Sequence, residues 1–328
     1  VTNPPRILCL GEILFDLLAD RAGRLLSEVA SWTPYPGGAL ANVASALVKL
    51  GTPAAFLGCV GKDEPGDRLV QLLESIGVDT RGVQRHLTAP TRNVYVLRSE
   101  TGDRSFAGFG GLEPDRFADA YLNASSLPEQ LFLDAEYLVL GTLELAYPQT
   151  RAAIFRALEL ADQYNMKIVL DINWRPMFWR DANEALPLIK KLWQYIDFLK
   201  LTDEEAKWLF NTTDAGAICY QLDTVEGVLV TRGAGDVGYC LSDNEGKVTP
   251  PKVSVQDTTG AGDAFLAGFL HQLCKRKISG LANPQIAKDI VIYACAVGGL
   301  TTTKPGAIAA QPTASEVEDF LYSNTSKR

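Results

Sequence analysis

The sequence predicts a three-layer α/β/α protein in which a mostly parallel sheet is covered by helices on both faces. Three observations carry that prediction. Short, continuous apolar runs recur between stretches of helical periodicity, as strands buried on both faces do. The 328 residues are 47% apolar and 21% charged, an ordinary globular balance. A chain of this length buries roughly three quarters of the surface it exposes when unfolded. Neither a disulfide nor a metal staple is then needed for folding, and one domain spanning 1–328 is expected.

Each element follows from its local pattern. Ile7-Leu8-Cys9-Leu10 opens the chain as a buried strand, after which residues 12–36 depart from any strand-helix-strand unit. Leu40, Val43, Leu47 and Leu50, spaced by three, four and three, place an apolar stripe on a helix over 39–50 that stops at Gly51, with Asn42 off that stripe. A strand over 55–60 and a helix over 66–76 follow. Residues 91–110 form a second departure, with partial alternation through Asn93-Val94-Tyr95-Val96-Leu97-Arg98. The two departures read either as plain surface hairpins or as a small sheet covering a site, a device that keeps water from ATP chemistry. Runs at 137–140, 168–170, 198–201 and 228–230 complete the central strands, with helices at 149–164 and 183–195 among them. No repeat or low-complexity tract occurs, and Ser323–Arg328 is expected to fray.

Charge and composition exclude several functions. Lys and Arg number 31 against 39 Asp and Glu, a net charge of −8, and no basic run interrupts the chain, so a nucleic-acid partner is not expected. No stretch reaches the ~18 uninterrupted apolar residues of a membrane span. Val1-Thr2-Asn3-Pro4-Pro5 lacks the basic-then-apolar pattern of a leader, and a cytoplasmic location is expected. Cys9, Cys59, Cys219, Cys240, Cys274 and Cys295 lie far apart with no C-x-x-C pair, which suggests neither a zinc knuckle nor a disulfide framework. With two histidines, His86 and His271, a multi-histidine metal site or a Ser-His-Asp triad has few members available. His271-x-x-Cys274 reads as core or surface filler.

The chemistry concentrates in Asp257-Thr258-Thr259-Gly260-Ala261-Gly262-Asp263, a polar, glycine-rich loop that turns directly into an apolar helix. The first amides of a helix have no intrahelical partners, their dipole end is positive, and glycines let an oxyanion approach the backbone. Gly260, Ala261 and Gly262 would form such a cradle. Asp263, in the first turn, can accept a proton from a hydroxyl attacking a γ-phosphate, or serve simply as a partner for the helix dipole. The loop is neither a Walker A sequence nor a Rossmann fingerprint, because no G-x-x-x-x-G-K-[ST] occurs and Phe265 stands at the third glycine position.

Three other stretches carry candidates. In Val230-Thr231-Arg232-Gly233-Ala234-Gly235-Asp236 a strand runs into a glycine turn that suits nucleotide phosphates or ribose, and equally a plain hairpin. In Tyr35-Pro36-Gly37-Gly38-Ala39-Leu40-Ala41-Asn42, paired glycines allow close backbone approach, and Asn42 offers a donor and an acceptor to a polyol. Asp16 is a second hydroxyl-binding candidate, its default reading being a loop residue.

The Gly37-Gly38-x-x-x-Asn42-x-Ala44 element and the Asp257–Asp263 element together resemble the two signature patterns of the PfkB carbohydrate kinase family, the ribokinase-like sugar kinases. Their order and the chain length match as well, and within the family the sequence is most similar to the fructokinases. The resemblance implies a ribokinase-like fold whose small β-sheet lid is built from the two departures, about 12–36 and 91–110. It implies that Asp263 is the base and that Gly260, Ala261 and Gly262 form the anion hole. By the same resemblance Asp16, Gly37, Gly38 and Asn42 hold the sugar, Asn173 or Arg175 of Asp171-Ile172-Asn173-Trp174-Arg175 approaches sugar or phosphates, and Thr231, Gly233 and Gly235 hold ATP. Asp257 and Thr259, with carbonyls around Thr301, Lys304 and Gly306, correspond to a monovalent-cation loop, normally for K⁺. The implied reaction is ATP- and Mg²⁺-dependent phosphorylation of a sugar, D-fructose to fructose 6-phosphate first. Other acceptors (2-keto-3-deoxygluconate, ribose, a nucleoside) and a catalytically silent sugar or nucleotide sensor are the alternatives, and a homodimer through the lid is implied.

The chain departs from the family pattern at four places. Thr202 stands at the Asn position of the magnesium-related Asn-x-x-Glu, whose Glu is Glu205, suited to holding Mg²⁺ through water. Asp236 follows Gly235 where the nucleotide turn usually ends in glycine, which points to a shifted turn. Cys295 occupies the place of an Asn near adenine, and Phe106-Ala107-Gly108-Phe109-Gly110-Gly111 lacks the Tyr-Arg-Asn type of lid sequence.

Overall fold

The computed structural model describes residues 4–98 and 104–325; residues 1–3, 99–103 within the second departure, and 326–328 of the tail expected to fray lie outside the described residues. The strands are β1 (Ile7–Leu10), β2 (Leu14–Ala19), β3 (Trp32–Gly37), β4 (Ala54–Gly61), β5 (Asp79–His86), β6 (Asn93–Arg98), β7 (Arg104–Gly108), β8 (Tyr137–Leu140), β9 (Lys167–Asp171), β10 (Phe198–Thr202), β11 (Gly227–Thr231), β12 (Val237–Leu241) and β13 (Asn244–Val248). Nine of them form one sheet in the order β13-β12-β11-β10-β9-β8-β1-β4-β5, and four form a second in the order β3-β2-β6-β7. From β11 to β5 every neighbouring pair of the large sheet is parallel, while β12 and β13 add antiparallel at one edge. The sheet is therefore larger than its six apolar runs predict. β5 and β13 are its edge strands, where partial exposure admits polar residues and dilutes the apolar signal, and the run of β12 beside β13 is broken by Gly238.

Alternation along each strand divides the core between two faces. Ile7 and Cys9 point into a cluster with Leu40, Leu47, Leu69, Phe269 and Ile290, from the helices α1 (Ala39–Lys49), α2 (Glu64–Ile76), α7 (Ala261–Arg276) and α8 (Pro284–Thr301). Leu8 and Leu10 point into the opposite cluster with Ile154, Ile189, Ala206 and Ile218, from α3 (Pro148–Gln163), α4 (Ala185–Lys190), α5 (Asp203–Phe210) and α6 (Ala215–Leu222). Short α9 (Ala307–Ala310) and terminal α10 (Ala314–Thr325) complete the chain, so that residues 323–325 continue a helix. The helix expected over 183–195 is shorter. After Lys190 the amides of Leu192 and Trp193 reach back three residues, to Ile189 and Lys190, a tightening into 3₁₀-type turns. No helix among the described residues is long and apolar enough to cross a membrane.

The small sheet comes from the two departures. β2 pairs antiparallel with β3 and parallel with β6, which pairs with β7. Arg92, fully buried at its root, donates to Asp119 at 2.5 and 2.7 Å and sits over the rings of Phe109, Phe117 and Phe178, anchoring β6 to the body. Strand order then places the site. Chain succession from β1 leads to β4 on one side, while β8 lies on the other, and a crevice opens at the strand C-termini where the order reverses.

Candidate active site

A cavity of about 1030 Å³ occupies that crevice, between the ends of the parallel strands, the small sheet and the start of α7. Residues just beyond β1 (Glu12), β9 (Asn173, Arg175) and β11 (Gly233) line it, with Thr202 and Thr231 at the ends of β10 and β11. β2, β6 and β7 contribute Leu14, Asp16, Val94, Val96 and Phe106. The two glycine segments, far apart in sequence, meet here.

Helix α7 begins at Gly260, whose φ of 75° lies in the left-handed region, and no side chain caps the helix. Gly260, Ala261, Gly262 and Asp263 all line the cavity, so the positive end of the dipole faces it. Asp263 Oδ2 accepts a hydrogen bond from Asn42 Nδ2 at 2.8 Å, joining α7 to α1 across 221 residues of chain. Burial pushes the Asp263 carboxyl above its ordinary range; Lys200, the Asn42 hydrogen bond and Arg175 pull the other way. Lys200 is a cavity-lining side chain that sequence reasoning missed. It lies on β10 beneath the helix start, buried, and donates to both oxygens of Asp171 at 2.8 and 3.0 Å. A Cβ at Gly262 would sit 3.1 Å from its Nζ, which is why glycine suits that position. Burial works against the ammonium, but Asp171 and Asp263 outweigh it and the pKa rises; burial in turn pushes Asp171 up to about 6. A lysine inside the apolar run Phe198-Leu199-Lys200-Leu201 was the available signal.

One wall of the cavity gathers Asp16, Gly38 and Asn42. Gly37 lies behind that wall, packed against the Asp16 carboxylate, where a Cβ would approach Oδ2 at 3.0 Å. Gly38 has φ 108°, and a side chain there would collide with the Glu12 carbonyl, so the turn into α1 requires glycine. Glu12, a second residue the sequence reading passed over, lines the same wall and accepts from the Ala39 amide at 2.5 Å.

Thr231, Gly233 and Cys295 also line the cavity, along with Pro251 and Val253. Gly235 does not line the cavity; its amide closes the turn onto the Arg232 carbonyl at 2.6 Å. Asp236 accepts from Thr249 Oγ1 at 2.6 Å, which holds its charge in the antiparallel edge and away from the cavity. Asn173 lines the cavity with φ 40°, a left-handed backbone in a non-glycine residue, and Arg175 lies beside it. Glu205 completes a capping box on α5: its oxygens accept from Thr202 N at 2.7 Å and from Trp174 N at 2.6 Å, while Thr202 Oγ1 accepts from Glu205 N. Thr202 therefore works here as a helix cap.

In the loop before α7, Asp257 Oδ1 accepts from Thr259 N and Thr259 Oγ1 at 3.0 and 2.7 Å, and Oδ2 accepts from Gly306 N at 2.8 Å. The Thr302 carbonyl accepts from the amides of residues 256 and 257. Thr301 Oγ1 turns back to Val297 O, and Lys304 Nζ pairs with Glu316 at 3.7 Å, so these two would offer the loop their carbonyls alone.

An uncapped helix start, a half-buried carboxylate beside it and glycine turns at a cavity under the small sheet form the arrangement of a phosphotransferase. The description "pfkB family carbohydrate kinase" matches residues 4–314. The chain belongs to the pfkB family of carbohydrate kinases. It is 32% identical over 328 residues to probable fructokinase-5 of Arabidopsis thaliana, covering 99% of this chain and 100% of that protein. Among solved structures it superimposes on the fructokinase with bound ATP from Xylella fastidiosa with a TM-score of 0.88 at 31% identity, over 97% and 98% of the two chains. It superimposes on the Vibrio cholerae fructokinase in its fructose-, ADP- and calcium-bound form with a TM-score of 0.83 at 28% identity, over 97% and 99%. As a pfkB-family kinase, the chain has the ribokinase-like fold of these neighbours, the large sheet and the small sheet both contributing to the cavity wall.

Proposed function

We propose that this pfkB-family kinase transfers the γ-phosphate of ATP to a hydroxyl of a neutral sugar, D-fructose giving fructose 6-phosphate. The observation that carries the reading is Asp263, bonded to Asn42 at the open start of α7 inside the shared cavity. The sugar hydroxyl gives its proton to Asp263 and attacks the γ-phosphorus in line with the departing ADP oxygen. Amides at the start of α7 accept the charge that develops on the transferring group, with the Lys200 ammonium close beneath. Asp16, Gly38 and Asn42 hold the sugar; Thr231, Gly233 and the wall at Cys295 hold the nucleotide.

Charge supports a neutral acceptor. The described cations on the cavity wall are Arg175, Lys200 and Lys252, and Lys200 is already paired with Asp171, while the acceptor end carries Asp16 and Glu12. A carboxylated acceptor such as 2-keto-3-deoxygluconate would meet like charge there. A silent sensor has no need of a base at the cradle.

Glu205 fits a water-mediated Mg²⁺ role, since each carboxylate oxygen keeps a lone pair beyond its one backbone bond and the residue lines the cavity. Bound there, Mg²⁺ would neutralise phosphate charge. The Asp257 carboxylate and the carbonyls of 301–306 offer the hard oxygen donors that suit K⁺, which would order the loop carrying the cradle. Coupled ADP release from MgATP with K⁺, across fructose, glucose, ribose, 2-keto-3-deoxygluconate and adenosine, tests the reading. Turnover on fructose should fall roughly 10²- to 10⁴-fold in Asp263→Asn. Fructose affinity should hold, because the introduced amide oxygen still accepts from Asn42. Near-normal kcat in the variant removes the base assignment, and a different preferred sugar replaces fructose.

A further inference from the structure

Two buried carboxyl groups beneath the acceptor pocket have no role in the mechanism above. Glu12 is 3% exposed and Glu144, just after β8, 1% exposed. Glu12 Oε1 accepts from Ala39 N at the start of α1. The remaining oxygens, Glu12 Oε2 and both of Glu144, are buried and meet no N–H or hydroxyl donor, and the two carboxyl groups interact with each other. Two buried carboxyl groups that share a site and lack donors favour a proton between them, since two charges there would go uncompensated. The charged or titratable groups facing the pair are Asp263 and Asp119, which repel negative charge, and Arg92 and Tyr147; Arg92 is held by Asp119.

We propose that Glu144 stands as a neutral carboxylic acid donating to the ionised Glu12, and that this pair is a positioning latch for the start of α1. Ala39 is the first residue of that helix, Asn42 is three residues on, and Asn42 holds Asp263. An ionised Glu12 also suits the positive end of α1, which no side chain of its own segment caps. Loss of the Glu144 proton places two negative charges in one buried site, and the Glu12 carboxylate must move, taking the Gly38–Asn42 turn with it. Burial and the Glu12 charge both push the Glu144 carboxyl well above its ordinary range, and no N–H or hydroxyl donor meets its oxygens to offset them. The consequence for sugar affinity rests on the assignment of Gly38 and Asn42 to the acceptor; the protonation state does not.

Two measurements separate those points. Infrared spectra of the unliganded protein at neutral pH should contain the C=O band of a protonated carboxyl that disappears in Glu144→Gln. Absence of the band, or its persistence in the variant, overturns the proton assignment. Fructose affinity, followed by tryptophan fluorescence from neutral to alkaline pH, should weaken as Glu144 titrates in the wild type. In Glu144→Gln, whose amide donates the same bond without titrating, that alkaline limb should vanish. Glu144→Leu, which cannot donate, should bind roughly tenfold more weakly at every pH. Wild-type affinity and an unchanged limb in both variants overturn the latch. If the infrared band behaves as expected while fructose fails to bind any form, the acceptor assignment is at fault and the proton assignment stands.

Discussion

Replacing His271 by Gln should abolish a specific acid dependence of stability. His271 lies on α7, 3% exposed, with Nδ1 2.8 Å from Thr52 Oγ1 and its ring stacked on Tyr293 at 5.6 Å. Nε2 has no hydrogen-bond partner, which is compatible with a neutral ring and hostile to a charged one. Burial, then the charges of Lys275 and Arg6, lower its pKa from 6.5 to about 4. The unfolded chain therefore binds a proton before the folded one does. The stabilisation is complete above 6.5 and is lost as pH falls through about 4, at roughly 1.4 kcal/mol per pH unit, for a total of about 3 kcal/mol. Carboxylates titrate over the same range, Asp171 with the opposite sign because its folded pKa is raised to about 6. The difference between wild type and His271→Gln cancels those contributions. Urea denaturation at a series of pH values should show the wild type losing about 3 kcal/mol relative to the variant between pH 6.5 and 4. Parallel pH curves for the two proteins would refute the neutral, buried histidine.

Arg92→Leu should destabilise by about 3–5 kcal/mol, because it strands Asp119 as an unpaired buried charge. Arg92→Leu combined with Asp119→Leu should recover much of that loss in urea titrations; no recovery would mean that ring packing around the guanidinium matters more than charge. Gly38→Ala should cost about 1–2 kcal/mol of backbone strain on top of its collision with Glu12, and should raise the KM for sugar more than the KM for ATP. Asp257→Ala removes three hydrogen bonds from the loop behind the cradle. It should raise the K⁺ concentration for half-maximal activity with fructose binding unchanged by calorimetry; an unaltered K⁺ response would dissociate that loop from the cation.

The central parallel strands and the helices α1, α2, α3 and α7 were legible locally. Ile7–Leu10 or Tyr137–Leu140 are apolar throughout because both faces are covered, and Leu40, Val43 and Leu47 repeat at helical spacing. The start of α7 was equally plain, since a glycine-rich polar loop entering an apolar helix needs no distant partner to set the helix start. Sequence alone thus determined the fold class and marked the two glycine segments that folding brings to one cavity. Tertiary structure decided everything that depends on pairing across the chain. It put Asn42 on Asp263, aimed Lys200 under Gly262, turned Asp236 toward Thr249, and buried Glu12 against Glu144. The physical reason is that a charged side chain reads the same in sequence whether solvated or buried. Its energy, and with it its role, is set by the dielectric and the partners that folding supplies.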